Sequence, residues 1–201
     1  MKKQEIVFRE ICCGYTEGRR SFTQLELART LGLSLSTVNA ALSNLRDISA
    51  VRIMQRSFEI IALDRLLLYW ATHRNLKNDI IYETRADAPV KEIERNMPGG
   101  VAFTAYTAYR ALFGESVADY SEVYVYATAE GLSEIKRRFG PSRKIANIIV
   151  LEADAVLGAA MAGHKLKRSS VCEAQVFVDL WNAGEWYAKD YVDALSARLG
   201  I

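Results

Sequence analysis

The sequence predicts an α+β protein with a helical N-terminal part and a mixed C-terminal part. Apolar residues recur three and four positions apart through most of the first 45 residues, which is the spacing of amphipathic helices. Two short runs with alternating apolar residues follow, as in a β-hairpin. Beyond residue 75, helical and strand-like segments alternate. These observations predict two domains that differ in organisation.

Composition sets the first limits on function. The 201 residues and the hydrophobic fraction of 50% are enough for one large or two small domains with a proper core. Lys and Arg number 26 and Asp and Glu 24, so the formal charge of +2 shows no overall bias toward nucleic acid. No apolar stretch reaches the roughly 18 to 20 residues of a bilayer span, and the first residues lack the apolar core of a signal peptide. We therefore expect a cytoplasmic protein without membrane association.

The N-terminal part is predicted to begin with three helices. The first covers residues 3–16. The second begins at Thr23, because Glu26 three positions later completes a capping box. Gly32 supplies the turn that ends it, and Ser34 can cap a third helix that runs to about residue 45.

A hairpin and a connecting helix follow. Residues 51–54 and 58–61 alternate like two short strands on either side of a polar tip. We therefore assign residues 1–64 to the N-terminal domain, 65–75 to a connecting helix and 76–201 to a mixed α/β domain.

The C-terminal elements are predicted from shorter patterns. Residues 171–180 are apolar and fit either a strand or a helix. The remaining predicted elements are a helix before Met97, helices over about 103–112, 132–139 and 185–199, and strands over 123–126 and 145–150.

The most specific pattern lies between Gln24 and Ser43. Two helices that cross at a steep angle need a small residue where they touch, a glycine at the corner and aliphatic residues between them. Ala28, Gly32 and Val38 meet these needs. An ordinary helical hairpin would share the pattern, but the predicted β-hairpin follows directly. A helix-turn-helix with such a hairpin is the arrangement of the winged-helix module, which binds DNA.

The third helix is predicted to turn short polar side chains away from the core, where they can reach base edges in a major groove. These candidate DNA-contacting residues are Ser36, Thr37, Asn39 and Ser43, with Asn39 the best candidate for reading adenine. Backbone contacts are assigned to Arg46, Arg52, Gln55 and Arg56, for which a solvated hairpin is the alternative interpretation. Because the face carries no arginine for guanine, affinity per copy should be modest, and we expect a homodimer or several copies on one site.

Patterns for catalysis and metal binding are weak. His73 and His164 stand in no metal-ligand spacing, and the three cysteines form no paired Cys-x-x-Cys motif. We therefore expect no cofactor, no metal and no enzymatic activity.

Two alternatives remain open. Glu152 and Asp154 follow a predicted buried strand, where two carboxylates can bind Mg²⁺ in a nucleotidyltransferase or nuclease, although acids at a helix start explain the pair as well. The second alternative is a regulator whose C-terminal domain senses a small molecule in a pocket lined by tyrosines. These tyrosines are Tyr106, Tyr109, Tyr124 and Tyr126, for which core packing is the competing interpretation.

Smaller features have a functional and a plain interpretation. Pro98-Gly99-Gly100 ahead of a helix could hold a phosphate, but a tight turn is favoured. Two basic clusters could extend a nucleic-acid surface, meet an acidic partner or simply be solvated. The first is Lys136-Arg137-Arg138 with Arg143-Lys144, and the second is Lys165 with Lys167-Arg168.

The two halves together resemble the AbiEi family, the antitoxins and transcriptional regulators of type IV toxin–antitoxin systems. The resemblance rests on the N-terminal pattern described above, on the segment Met97 to Thr104 that leads into an Ala- and Tyr-rich helix, and on the closing segment from Gln175 to Leu199. It covers nearly the whole chain, and its motifs are packing patterns.

The resemblance implies a repressor that binds inverted repeats of double-stranded DNA in its own promoter. It also implies a C-terminal domain that counteracts a nucleotidyltransferase-like toxin. Antitoxicity in the family is indirect, so the resemblance implies a functional link to the toxin without a stable complex. The implied DNA role falls on Ser36, Thr37, Asn39, Ser43, Arg52 and Arg56. No single residue is implied for antitoxicity.

Overall fold

The computed structural model describes all residues from Met1 to Ile201. The protein is α+β, as the sequence predicts, with ten α-helices and two β-sheets. The chain forms two compact units, Met1–Arg74 with Ser196–Ile201 and Asn75–Leu195. None of the helices is both long enough and apolar enough to cross a bilayer.

The N-terminal unit contains the predicted helices and the predicted hairpin. A short strand that the sequence does not predict joins the hairpin to give an antiparallel sheet in the order β1-β3-β2. The elements are α1 (Lys3–Thr16), β1 (Ser21–Phe22), α2 (Gln24–Leu31), α3 (Leu35–Asp47), β2 (Val51–Ile53), β3 (Phe58–Ile60) and α4 (Leu63–His73).

Local hydrogen bonds explain where α2 and α3 begin and end. The Thr23 hydroxyl accepts a hydrogen bond from the Glu26 backbone N–H at 3.2 Å, and Ser34 accepts one from the Thr37 N–H at the same distance. Gly32 has φ 63°, the left-handed conformation in which glycine pays no steric penalty. These caps confirm the predicted helix boundaries.

Phe22 joins three elements of this unit. Its ring is 1% exposed and stacks on Phe58 of β3, with 5.5 Å between ring centroids. Gly14 of α1 lies so close that a methyl group on it would meet the ring at 2.9 Å. The side chain therefore packs β1 against both β3 and α1.

A buried ionic contact links α1 to the end of α4. Arg74 Nη1 donates to Glu5 Oε2 at 3.1 Å, and the two side chains are 1% and 5% exposed. The Trp70 indole N–H donates to the same oxygen at 3.3 Å, and Glu5 Oε1 accepts from the Lys2 backbone N–H. Because loss of either partner would leave a buried charge without compensation, the contact fixes the first helix against the fourth.

The C-terminal unit is built on a four-stranded mixed sheet in the order β4-β7-β6-β5. Its central strands β6 and β7 are parallel, and the two edge strands are antiparallel to them. The strands are β4 (Ile80–Thr84), β5 (Val101–Thr104), β6 (Val123–Ala127) and β7 (Ile148–Glu152). The helices are α5 (Val90–Arg95), α6 (Ala105–Phe113), α7 (Ala129–Arg138), α8 (Ala155–Ala162), α9 (Glu173–Trp181) and α10 (Ala188–Leu199). The last residues of α10, from Ser196, belong to the N-terminal unit.

Strand β6 is buried along its whole length and separates two kinds of core. Val123, Val125 and Ala127 belong to an aliphatic cluster that also contains Ile93 of α5 and Ile135 of α7. Since side chains alternate along a strand, Tyr124 and Tyr126 point to the opposite face.

Several C-terminal predictions need correction. The strand predicted over 145–150 begins at Ile148, and Ile145 is 88% exposed. Pro98-Gly99-Gly100 precedes β5 and not a helix, so no helix N-terminus is available there for a phosphate. The helix predicted over 103–112 begins at Ala105, since the residues before it pair with β6. The ambiguous segment 171–180 is helical as α9.

Tyrosine hydroxyls on the second face of β6 donate hydrogen bonds to two acids, the half-buried Glu185 and the fully buried Asp179. Tyr106 and Tyr124 donate to the two oxygens of Glu185 at 2.7 and 2.9 Å. Tyr126 and Thr104 both donate to Asp179 Oδ2, at 2.8 and 2.7 Å. These bonds satisfy carboxylates that would otherwise be costly to bury.

Gly14→Ala should destabilise the protein although alanine favours helices. The added methyl group meets the buried Phe22 ring, and overpacking of this kind costs about 1 to 3 kcal/mol. The matched control is Gly158→Ala in α8, whose new methyl group finds only Thr128 Cγ2 at 3.5 Å. This control should gain up to about 1 kcal/mol. Urea unfolding monitored by circular dichroism gives both changes, and equal effects of the two substitutions would contradict the packing assigned to Phe22.

The tyrosine cluster predicts a loss of stability at alkaline pH. Burial, followed by the hydrogen bond and charge of Glu185, raises the pKa of Tyr106, and burial with the charge of Glu185 raises the pKa of Tyr124. A tyrosine in the unfolded chain ionises at about pH 10. Above that pH the unfolded chain loses protons that the folded protein keeps, so the free energy of unfolding falls as pH rises. Phenolate absorbance of these residues should appear together with unfolding. Reversible ionisation of every tyrosine near pH 10 in the folded protein would contradict the cluster.

Candidate nucleic-acid interface

Helix α3 has one buried and one exposed side. Val38, Ala41, Leu42 and Leu45 are buried, and their spacing turns the intervening residues outward. Ser36 and Asn39 are exposed, whereas Thr37 and Ser43 are half-buried. The four predicted contact residues of this helix thus have access to solvent to different degrees.

The hydroxyl groups at the start of α3 are hydrogen-bonded to one another. Ser34 Oγ lies 2.8 Å from both Ser36 Oγ and Thr37 Oγ1. Thr37 is therefore partly engaged in the helix cap, while Asn39 makes no hydrogen bond through its side chain and can use its whole amide group.

The arginines predicted to contact DNA differ in whether their side chains pair with acids of the protein. Arg52 Nη1 lies 3.0 Å from Glu59 Oε1, since β2 and β3 pair these two residues directly. Arg46 contacts Asp47 and the Ser43 hydroxyl, at 3.2 and 3.1 Å. Arg56 at the hairpin tip has no ion pair or hydrogen bond. Two of the three positive charges are thus partly offset by neighbouring acids.

A shallow cavity of about 250 Å³ connects the hairpin tip to the two helices. Gln55 and Arg56 line it from the hairpin, and Thr23 and Gln24 line it from the start of α2. Leu25, Leu35 and Met54 complete its wall and are 42 to 52% exposed. The sequence does not identify these residues as part of a surface, because a single apolar residue in a helix or strand pattern is typical of the core.

One acid of the predicted carboxylate pair is engaged at the start of a helix. Asp154 caps α8, and its Oδ1 accepts hydrogen bonds from the Val156 and Leu157 N–H groups at 3.1 Å. Glu152 is exposed at the end of β7. No group of three or more His, Cys, Asp or Glu residues is arranged to hold a metal ion anywhere in the structure. The structure thus assigns Asp154 the helix-start role that the sequence offered as the plain alternative.

The first basic cluster is largely paired with acids of its own unit. Arg137 contacts Glu134 at 2.7 Å, and Lys144 forms an ion pair with Asp87. These exposed contacts leave little free positive charge at Arg137 and Lys144. The hydrogen bond from Arg137 lowers the pKa of Glu134, and the hydrogen bond from Lys144 lowers the pKa of Asp87.

The four tyrosines that were candidates for a ligand pocket are packed instead. Tyr106 and Tyr126 are fully buried, and Tyr109 and Tyr124 are 1% and 7% exposed. The Tyr106 and Tyr124 rings pack edge to face, with centroids 6.2 Å apart. Core packing therefore describes this cluster.

Comparison with known proteins gives no relative. No family model matches the chain, and neither a curated protein nor a solved structure matches it significantly.

Proposed function

We propose that the chain is a DNA-binding transcriptional regulator, specifically the autoregulating antitoxin of a type IV toxin–antitoxin pair. The single observation that carries the DNA-binding part is the exposed face of α3 beside the hairpin tip. Ser36, Asn39 and Arg56 are exposed there and do not serve the core.

The order of elements supports this proposal. Winged-helix domains contain, in this order along the chain, a helix, a short strand, two helices and a hairpin. The second helix of the pair lies in the major groove. The N-terminal unit has the same elements in the same order, and β1 pairs with β3 of the hairpin. In that arrangement α3 reads base edges, and the hairpin contacts the backbone.

Electrostatics predict modest affinity. Residues 1–64 carry 9 Lys and Arg against 7 Asp and Glu, so the whole formal charge of +2 lies in this part. Phosphate contacts supply much of the binding free energy of DNA-binding proteins. With Arg52 paired to Glu59, a single copy has few free charges to offer. Two or more copies on an inverted repeat would raise the affinity through combined contacts.

The antitoxin part rests on the resemblance to the AbiEi family over both halves of the chain. A small-molecule-sensing C-terminal domain is the second candidate function. The tyrosines do not favour it, because their rings are buried. The observation that favours it is a cavity with a basic lining in the C-terminal unit.

DNA binding is tested with the duplex upstream of the chain's own gene, by fluorescence anisotropy over a series of salt concentrations. Arg56→Ala should weaken binding and flatten the slope of log affinity against log salt by about 0.9. Asn39→Ala should reduce discrimination against unrelated DNA by about 1 to 3 kcal/mol. Glu59→Gln should strengthen binding, because it releases Arg52 for a phosphate.

The charge-matched control is Lys189→Ala, an exposed residue of α10 that pairs with Asp193. It should leave both the affinity and the slope unchanged. The interface assignment is wrong if Arg56→Ala and Asn39→Ala behave like this control.

The antitoxin role is tested separately with the product of the neighbouring gene. If that gene encodes a nucleotidyltransferase-like toxin, its expression should arrest growth, and co-expression of this chain should restore growth. Arg56→Ala should still restore growth, since the C-terminal domain carries the proposed antitoxicity. Failure of the unaltered chain to restore growth would reject the antitoxin role while leaving DNA binding intact.

A further inference from the structure

An open cavity of about 380 Å³ in the C-terminal unit has a strongly basic lining. Four of its side chains are cationic, namely Lys91 and Arg95 of α5, Arg110 of α6 and Arg168. A single acid, Glu94, faces them, together with the half-buried ring of Phe103. The volume lies within the roughly 300 to 1,000 Å³ typical of small-molecule sites.

Glu94 belongs to the framework of the cavity and is not available to a ligand. Its side chain is 7% exposed and forms an ion pair with Arg110. Its Oε1 also accepts hydrogen bonds from the hydroxyl groups of Thr107 and Tyr120, at 2.8 and 2.6 Å. The one negative charge of the lining is thus used to orient Arg110, which is 32% exposed.

The other cations have no acidic partner. Lys91 and Arg95 are one turn apart on α5, both are exposed, and neither forms an ion pair or a hydrogen bond through its side chain. Three cations without acids around one concavity raise the local concentration of anions.

Arg168 is held in place by the end of α6. Its Nη1 donates to the backbone carbonyls of Ala111 and Leu112, the second at 3.0 Å. This contact leaves Nε and Nη2 without partners, and a guanidinium fixed in this way can offer two N–H groups to one oxyanion.

The backbone beside the cavity is strained. Arg168 and Ser169 have φ values of 51° and 54°, in the left-handed region that residues other than glycine rarely adopt. Such strain is concentrated at functional sites, where the surrounding structure holds a side chain in a required position. Here it accompanies the anchored guanidinium of Arg168.

We propose that this cavity binds a small phosphorylated molecule. Its phosphoryl group would lie against Lys91, Arg95 and Arg168, and an apolar or planar part would cover Phe103 and Ala111. The volume exceeds what a single phosphate needs, and the lining is apolar only on the side of β5 and α6. This inference does not depend on DNA binding by the N-terminal unit.

The test uses the full chain and isothermal titration calorimetry with inorganic pyrophosphate, adenosine diphosphate and adenosine as probes. Pyrophosphate and the nucleotide should bind, and adenosine should not. Lys91→Ala and Arg95→Ala should each weaken binding about tenfold or more, because each removes a charged hydrogen-bond donor. Both residues lack partners, so the variants should keep the melting temperature of the unaltered chain. Lys189→Ala should bind as the unaltered chain does.

Three results would overturn the proposal. The first is no binding of either phosphorylated probe at millimolar concentration. The second is binding that Lys91→Ala and Arg95→Ala leave unchanged, since the anion would then lie elsewhere. The third is displacement of pyrophosphate by duplex DNA together with weaker DNA binding by both variants, which would make the cavity part of a DNA surface. Failure of promoter binding by the unaltered chain would leave the cavity untouched.

Discussion

The phenyl ring of Phe22 is enclosed by the backbone of α1 at Gly14, by the Phe58 ring of β3 and by the guanidinium of Arg19, 4.5 Å from its centroid. The next residue, Thr23, caps α2. The Phe22 side chain thus fixes the hairpin against α1, and its neighbour Thr23 determines where α2 begins. The proposed interface depends on this packing, because the hairpin tip and the starts of α2 and α3 line one cavity.

In the C-terminal unit, hydrogen bonds between buried side chains determine how the elements pack. The central strand β6 is buried along its length, and its two tyrosine hydroxyls donate hydrogen bonds to carboxylates of the protein. Asp179, which is fully buried, accepts hydrogen bonds from Tyr126 and Thr104 and so ties β6 and β5 to α9. Networks of this kind favour one packing arrangement, because a shift would leave a buried carboxylate oxygen without its hydrogen-bond donors.

The features predicted well from the sequence depend on neighbouring residues. Thr23, Gly32 and Ser34 determine helix ends through bonds that span three or four positions, so a local pattern is sufficient. The exposed side of α3 follows in the same way from its apolar spacing. Strand β1 has only two residues and forms because it pairs with β3. Two residues are too few to show the alternation of apolar and polar residues that predicts a strand.

Other features depend on distant contacts or on unusual backbone. The change from β5 to α6 occurs at Ala105, whose φ of 51° is a conformation that the sequence would have signalled only with a glycine. Helix α8 lacks an amphipathic pattern because nearly all its residues are apolar. The Arg52–Glu59 pair follows from strand register, which the sequence does not specify. The basic cavity brings α5 next to Arg168, more than 60 positions later in the chain, so local spacing could not predict it.

The contact between Glu5 and Arg74 also determines how the chain can be divided for experiments. A fragment that stops at residue 64 would lack most of α4 and with it Trp70 and Arg74, which both donate to the Glu5 carboxylate. The fragment would also lose the buried side chains of Leu66 and Leu67, and burial of one such side chain contributes about 1.5 to 3 kcal/mol, a large part of the stability of a small domain. A shortened N-terminal fragment would therefore need to retain α4 through Arg74, and a truncation at the end of the hairpin would produce a poorly folded polypeptide whose failure to bind DNA carried no information.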